Sequence, residues 1–429
     1  MPIYQPFIKN LKLNEALPYV MHVDMNSFFA SCEQQLNPLL RNKPVAVVPY
    51  LYKGSAILAA SVEAKKLGIK TGTKIYDAQE ICPTIHLCLA DPDKYRYISR
   101  KVMKVFKKFS PEVHAKSIDE GYLNFCHLSG QSILGTVPNR DSPRYKLHQS
   151  QMEKIANEIK QEIKKKVGDY LKCSIGVGPN IFLAKMASNV NKPDGFFYVD
   201  HNNLTTFYDM LSLQDLHGVA VQITKKLNKI NIFTPNDFLN ADLNKLKSEF
   251  KLFGYHWYLR LRGFEIDDVL FKRKNIGHSY HLQKFTSEST ELLGIIQKLS
   301  EKTVYKMQKF KYKARCFSVY LLFTDNTKWS KIHRFDSFTN NNFEIFKRFK
   351  YLFQQCPEKH KKVKIIMISS SFLQKNTFEE LDLFGTTRKQ EKFCETIYQL
   401  NKRWGTFTVY PANLVNYKQV AQDRIAFGN

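Results

Sequence analysis

Three carboxylates in this sequence have the type and placement needed to bind metal ions. Asp24 ends the apolar run PYVMHVD, and Asp119 and Glu120 lie between two strand-like runs, EVHAKSI and GYLNF. Adjacent strand residues point to opposite faces, so both acids reach one ion only near a turn or a strand end. If these strands are neighbours, the carboxylates meet at one sheet edge, where their repulsion favours bound cations. Hard oxygen ligands of this kind suit Mg²⁺.

An ordinary structural role competes with this interpretation. An Asp at a strand end is commonly a turn or cap residue, and an Asp-Glu pair commonly lies on a solvated surface. The residues that flank the acids therefore have to decide between the two.

The composition limits the class of protein. A chain of 429 residues is too long for one ordinary core, and three or four folded units are expected. Its hydrophobic content of 43% excludes a disordered chain. The net charge of +26 favours a nucleic-acid partner, because lysines that neutralise phosphates release counterions. A generally solvated basic surface is the alternative.

The cysteines and the N-terminus indicate a cytoplasmic protein. The eight cysteines form no CxxC pair, which argues against zinc, and several lie in apolar runs typical of reduced, buried thiols. The N-terminus lacks a long apolar segment, and no window approaches the roughly 20 apolar residues of a membrane span. We therefore expect no membrane association.

Three motifs carry a resemblance to a known family. VDMNSFFASCE (23–33), SIDEGYLNF (117–125) and GVGPNIFLAKMASNVNKPDG (176–195) resemble the motifs of the Y-family, translesion-type DNA polymerases, in the family's order and spacing. The bacterial DNA polymerase IV branch looks most similar. The resemblance implies a template-directed enzyme that adds deoxynucleotides to a primer 3′ end by two-metal-ion nucleotidyl transfer, with low fidelity and damage tolerance.

The resemblance also implies the architecture of an α+β right-hand polymerase with a ferredoxin-like palm, small fingers, a helical thumb and a separate α+β little finger. The expected boundaries are an N-terminal extension (1–17), palm (18–29 and 83–195), fingers (30–82), helix-hairpin-helix-like thumb (196–265), linker (266–280), little finger (281–378) and C-terminal tail (379–429).

The resemblance assigns roles around the acids. Asp24, Asp119 and Glu120 match the catalytic metal ligands, and the backbone carbonyl of Met25 completes a metal shell. Two Mg²⁺ ions are expected, with Mn²⁺ as the alternative metal. Phe29 matches the steric gate, an aromatic ring that excludes a 2′-hydroxyl.

Other family positions concern the incoming nucleotide. Phe28 packs beside the gate, and an ordinary core role competes for it. Lys185 matches a lysine that contacts the triphosphate. Lys65 stands where relatives commonly have a phosphate-binding Arg, and Val62 where they have a Tyr. Lys cannot make the bidentate contact of Arg, so the triphosphate pocket departs from the common pattern.

The expected DNA and partner contacts lie further along the chain. Gly218 remains from the Gly-x-Gly turn of the thumb hairpin, with Ala220 in the second place. Three little-finger lysines fit a phosphate-tracking surface, or alternatively a solvated face: Lys309, Lys311 and Lys313. A pentapeptide resembles the motif that binds the bacterial sliding clamp, although chance occurrence in a linker competes: Glu380, Leu381, Asp382, Leu383 and Phe384.

The expected partners are primer–template DNA, deoxynucleoside triphosphates and the sliding clamp, bound by a monomer. Two rival functions stay open. One is a catalytically weak or inactive DNA and clamp adaptor, which metal-dependent nucleotide incorporation would exclude. The other is a general nucleic-acid-binding protein with structural acids, whose binding would be indifferent to Mg²⁺ and to the primer end.

Overall fold

The structure, a computed structural model, describes residues 11–126, 143–268, 273–375, 386–423 and 425. The chain divides into two compact units, Met1–Val269 with Asp423–Asn429 and Leu270–Gln422. Each unit contains helices and strands, which confirms the predicted α+β class. In the described part of the chain, none of the helices is both long and apolar enough to cross a membrane.

The first unit holds two sheets and a helical region. Its strands are β1 (Val20–Met25), β2 (Val45–Val48), β3 (Ala59–Ala60), β4 (His86–Leu89), β5 (Glu112–Ala115), β6 (Glu120–Asn124), β7 (Cys173–Gly178) and β8 (Phe196–Tyr198). Its helices are α1 (Phe28–Leu36), α2 (Val62–Lys66), α3 (Ile75–Ile81), α4 (Pro92–Phe106), α5 (Pro143–Lys166), α6 (Ile181–Val190), α7 (Leu204–Asp209), α8 (Val221–Lys229), α9 (Pro235–Asn240), α10 (Leu243–Phe250) and α11 (Leu252–Leu261).

The larger sheet has five strands in the order β5-β6-β1-β7-β8. The central strand β1 pairs antiparallel with both β6 and β7, and β8 lies parallel to β7. Every residue of β7 is buried, as its continuous apolar run predicts for a strand covered on both faces. Side chains of α4 and α5 share one core with alternate residues of β1 and β7, such as Val23 and Ile175. Helix α6 packs on the opposite face.

The contact between α6 and β7 depends on Gly176. A Cβ atom at this position would lie 2.2 Å from the backbone oxygen of Ala184 and 2.2 Å from the backbone nitrogen of Ser188. These atoms belong to the backbone of α6 and cannot rotate away. Glycine at this point therefore allows the helix to reach the sheet.

Gly176→Ala is expected to destabilise the first unit by about 3 kcal/mol, at the upper end for overpacking, because the helix backbone must shift. Chemical denaturation measures this as a lower midpoint. Gly54→Ala is the matched control, since its Cβ would meet only the Tyr52 ring, at 3.1 Å. Equal midpoints for the two variants would contradict the close approach.

A small sheet of order β3-β2-β4 has a core of its own beneath α2 and α3. Strand β4 pairs in parallel with β2, so this sheet includes a strand beyond residue 82, where the sequence analysis ends the fingers. The helices α7 to α11 form a further core around Phe238 and Trp257. Residues of the predicted N-terminal extension also pack here, since the Leu11 N–H donates to the Tyr258 hydroxyl at 3.2 Å.

The second unit is a four-stranded antiparallel sheet of order β11-β10-β12-β9. Its elements are β9 (Asn275–Thr286), α12 (Ser289–Lys309), β10 (Tyr312–Phe323), β11 (Lys328–Thr339), α13 (Asn342–Gln354), β12 (Val363–Lys375) and α14 (Thr386–Trp404). Strand β9 begins at Asn275, inside the range predicted as a linker, 266–280. Ile276 and Leu282 on this polar edge strand are buried, which is enough to pair it with β12.

The predicted C-terminal tail contributes to this second unit. A 3₁₀ helix at Ala412–Tyr417 lies against α12, where a Cβ on Gly294 would be 2.1 Å from the Tyr417 ring. Gln297 and Asn413 exchange side-chain hydrogen bonds across the same contact. Residues 412–417 of the predicted tail therefore pack on the core of the second unit.

Candidate active site

The strand register brings the predicted acids together. Asp24 and Glu120 are direct partners in the antiparallel pair of β1 and β6, and both lie at the end of their strands. The Met25 N–H donates to the Asp119 carbonyl oxygen at 2.9 Å, which fixes the third acid beside the same end. Acids far apart in sequence therefore lie together at the same end of two neighbouring strands in the five-stranded sheet.

Two lysines bind these carboxylates. Lys185, on α6, places its Nζ 2.7 Å from both oxygens of Glu120. Lys192, just after α6, places its Nζ 2.8 Å from Asp24 Oδ1. The structure thus places Lys185 on a predicted metal ligand, whereas the sequence analysis assigns it to the triphosphate.

The electrostatics differ between the neighbouring acids. Burial raises the pKa of Asp119, and the charges of Asp24 and Glu120 raise it further, against a hydrogen bond from Ser117. Burial would also raise the pKa of Glu120, but His22 and Lys185 together lower it to about 2. Glu120 is therefore ionised at neutral pH, while the charge of Asp119 is disfavoured by its surroundings, which an added cation would relieve.

The donor set fits a hard divalent cation. Three carboxylates converge, and the like charges that raise the pKa of Asp119 are those a cation would neutralise. The described side chains do not yet form a complete metal site. Within the described ranges, no group of three or more His, Cys, Asp or Glu side chains is arranged to hold a metal ion. Ammonium groups contact Glu120 and Asp24 instead, and both belong to flexible side chains that retain some solvent exposure.

Asn26 anchors the loop that carries Lys192. The buried Asn26 side chain donates to Ser174 Oγ at 3.0 Å and accepts from the Asp194 N–H at 2.8 Å. The amide of Asn26 therefore has a structural function. It ties the loop after α6 to the end of β1, next to Asp24.

Phe29 is the second residue of α1 and has little exposed surface. Its ring stacks on Tyr95, with centroids 4.5 Å apart and planes inclined by 16°. The Tyr95 hydroxyl donates to Glu33 at 2.6 Å, and Lys94 also binds Glu33, at 2.9 Å. One face of the Phe29 ring therefore packs on Tyr95, which is itself fixed by its hydrogen bond to Glu33. Phe28 is more deeply buried, 3% exposed against 9% for Phe29, and both rings belong to the same core.

Lys65 lies within electrostatic reach of the acids. Although its side chain is exposed as a whole, desolvation lowers the pKa of Lys65, Lys192 lowers it further and Asp24 opposes this. Val62 begins the same short helix, α2. Lys65 and Lys192 thus provide two cationic groups near Asp24.

The predicted DNA-contact residues lie outside this cluster. Gly218 adopts a φ of 94°, just before α8, in a conformation that favours glycine. The predicted lysines lie around one turn of the second unit, with Lys309 ending α12, Lys311 in the turn and Lys313 in β10. The predicted clamp-binding segment, 380–384, lies outside the described residues.

Sequence reasoning missed two residues of the site, Lys192 and His22. Lys192 lies inside the third motif, but its side chain meets Asp24 only through the fold. His22 is fully buried on β1, with its Nε2 3.5 Å from Glu120 Oε2. A signal for His22 was available, because residues two apart on a strand share a face, and Asp24 follows it by two.

Comparison with known proteins agrees with the fold. Residues 23–189 match the model of the impB/mucB/samB family, and residues 273–383 match that family's C-terminal domain. A Y-family DNA polymerase chimera has a similar structure, with a TM-score of 0.69 over 83% of this chain and 99% of that one, at 24% identity. This supports the predicted fold. The chain belongs to the Y-family of translesion-type, DNA-directed DNA polymerases.

Sequence relatives indicate which branch of the family the chain resembles. The chain is 31% identical to a DNA polymerase IV of Pelotomaculum thermopropionicum, across 94% of this chain and 97% of the relative. It is 29% identical to DNA polymerase IV 1 of Bacillus subtilis, across 90% of this chain and 91% of the relative. The predicted similarity to the bacterial DNA polymerase IV branch is thus confirmed.

Proposed function

We propose that this protein extends a DNA primer opposite a template by two-metal-ion nucleotidyl transfer, with the low fidelity and damage tolerance of a translesion enzyme. The observation that carries the proposal is the convergence of Asp24, Asp119 and Glu120 at the paired ends of β1 and β6. Retention of all three acids favours an active polymerase over a DNA and clamp adaptor.

Asp24, Asp119, Glu120 and the Met25 carbonyl would hold the ions. Bound Mg²⁺ supplies activation of the primer hydroxyl and stabilises charge on the transferred phosphate and its leaving group. The chain contributes fixed carboxylates on a rigid sheet, and Glu120 keeps its charge at neutral pH. Phe29, supported by Tyr95, would contact the sugar of the incoming nucleotide.

Lys185 and Lys192 would exchange partners when ions and nucleotide bind. Each ammonium group now pairs with an acid, and a divalent cation on those acids would repel it. The triphosphate offers both lysines a new anionic partner. Lys192 and Lys65, both near Asp24, would make this contact, and Lys185 would share it once released from Glu120.

Lys192→Ala is expected to raise the KM for deoxynucleotides roughly tenfold or more, because a charged hydrogen bond contributes about 1.5–3 kcal/mol. Steady-state extension at varied nucleotide concentration measures it. Lys172→Ala is the matched control, since that exposed lysine approaches Asp194, at 3.8 Å, on the same loop. An unchanged KM for Lys192→Ala would mean that only Lys185 and Lys65 contact the triphosphate.

The domain roles are proposed from the same framework. The five-stranded sheet would be the palm, the small sheet with α2 and α3 the fingers, and α7 to α11 the thumb. The second unit would be the little finger, and residues 412–417 of the tail would form part of it. The small fingers offer few contacts to a nascent base pair, which supports low fidelity and damage tolerance. Gly218 and the lysines Lys309, Lys311 and Lys313 would contact DNA phosphates. Residues 380–384 would bind the sliding clamp.

A primer-extension assay tests the proposal most directly. The protein is given a labelled primer–template, all four deoxynucleotides and Mg²⁺, with parallel reactions lacking metal or template. Template-dependent, metal-dependent extension is expected, and a template carrying an abasic site tests damage tolerance. DNA binding without any incorporation would favour the adaptor function instead.

A further inference from the structure

His22 closes a ring of contacts beneath the acids. It lies on β1 with no exposed surface, and its Nδ1 is 3.2 Å from Ser188 Oγ on α6. The Ser188 hydroxyl also contacts the Lys185 carbonyl oxygen, at 2.7 Å. Because a hydroxyl can donate to His22 Nδ1, the neutral ring can carry its proton on the other nitrogen, Nε2.

The other ring nitrogen faces Glu120. His22 Nε2 lies 3.5 Å from Glu120 Oε2 and is buried without a hydrogen-bond partner among the described residues. Glu120 also binds the Lys185 ammonium. Lys185 and Ser188 both lie on α6, so the contacts form a closed ring. One strand, its partner strand and α6 are thus linked through a single imidazole.

Packing alone does not account for this histidine. An apolar side chain would fill the same interior position without burying a ring nitrogen that lacks a partner. The separation of 3.5 Å is longer than an ordinary hydrogen bond, but Lys185 currently holds both carboxylate oxygens. Contacts of this kind commonly shorten when an active site is loaded. Displacement of Lys185 would leave His22 as the remaining side chain holding Glu120.

We propose that His22 is a positioning residue, which fixes the orientation of the Glu120 carboxylate for metal binding and is itself oriented by Ser188. The inference rests on the proposed function, in which Glu120 is a metal ligand. His22 contacts no substrate and acts only through Glu120. Groups that orient metal ligands in this way typically change metal affinity by about 10–100-fold when replaced.

Two amide replacements separate the two ring contacts. The Gln amide places a nitrogen near the Nε2 position, and the Asn amide places one near Nδ1. His22→Gln therefore keeps a donor for Glu120, whereas His22→Asn keeps only a polar contact with Ser188. The readout is the affinity of the protein for Mn²⁺ without DNA or nucleotide, from the electron paramagnetic resonance of free Mn²⁺.

His22→Asn is expected to weaken Mn²⁺ binding about tenfold, and His22→Gln is expected to restore it to within about threefold of the wild type. His148→Asn is the matched control, because His148 is also buried and its Nδ1 contacts the Tyr198 hydroxyl, at 3.1 Å. That control should bind Mn²⁺ like the wild type. Equal affinities for the two His22 variants would overturn the proposal.

A measurement that leaves His22 in place guards against misfolded His22 variants. The ¹⁵N resonance of His22 Nε2, recorded without metal, should move when Glu120 becomes Gln and stay in place for Glu63→Gln. An Nε2 resonance that ignores Glu120→Gln overturns the proposal even if every His22 variant unfolds. Primer extension that survives Glu120→Ala would instead refute the proposed role of Glu120, so the two failures are distinguishable.

Discussion

Replacing Asp119 and Glu120 together with alanine is expected to abolish primer extension, lowering its rate by on the order of 10³-fold or more. The two positions supply two of the three carboxylates at the paired ends of β1 and β6. Under the proposed mechanism, Asp24 alone would be left to balance the charge of the two divalent ions. Single-turnover extension of a labelled primer in Mg²⁺ measures the loss.

The double variant should still bind DNA, since its net charge becomes more positive than +26. Fluorescence anisotropy with the same primer–template checks this point. Asp93→Ala with Glu112→Ala is the matched control, because it removes the same charge from exposed positions of the same unit. Normal extension by the Asp119 and Glu120 variant, with loss only in the control, would place the chemistry elsewhere.

The position of the acids was accessible from sequence because local patterns encode it. An apolar run that ends in Asp24, and a pair of acids between two strand-like runs, place each acid at a strand end. The direct pairing of Asp24 with Glu120 was not accessible. It joins residues almost one hundred positions apart, and no local pattern determines which strands become neighbours.

The lysines show where sequence reasoning failed to reach. Lys185 lies on a helix whose existence is predictable, but its partner depends on how α6 crosses the sheet, which Gly176 controls. Lys192 lies in a loop held by the amide of Asn26, a contact across 168 positions. Side-chain partners of this kind depend on tertiary packing, so the motif gave the right segment but not the contacts.

The second unit contains two segments whose structure their own periodicity does not indicate. Polar residues on β9 led to the prediction of a linker, since an edge strand buries only part of one face. The 3₁₀ helix at Ala412–Tyr417 packs on α12 because a single small residue, Gly294, admits the ring of Tyr417. In both segments the structure depends on a neighbouring element rather than on the local sequence pattern.

Phe29→Ala is expected to admit ribonucleotides, lowering the preference for deoxynucleotides by about 100-fold. The ring of Phe29 is stacked on Tyr95, and the Glu33 hydrogen bond to Tyr95 limits its movement. Because Tyr95 supports the Phe29 ring, the ring cannot move away from an added 2′-hydroxyl. Steric contact with the ring therefore excludes the ribonucleotide. The ratio of kcat/KM for a matched deoxynucleotide and ribonucleotide pair measures the change.

Phe28→Leu separates this effect from general damage to the helix. Its ring centroid is 5.9 Å from that of Phe29, and its side chain is almost fully buried. The Leu variant should lose stability, since part of a core side chain is removed, while its sugar preference stays unchanged. If Phe28→Leu relaxed the preference as much as Phe29→Ala does, sugar selection would depend on the packing of α1 as a whole, and the gate could not be assigned to one ring.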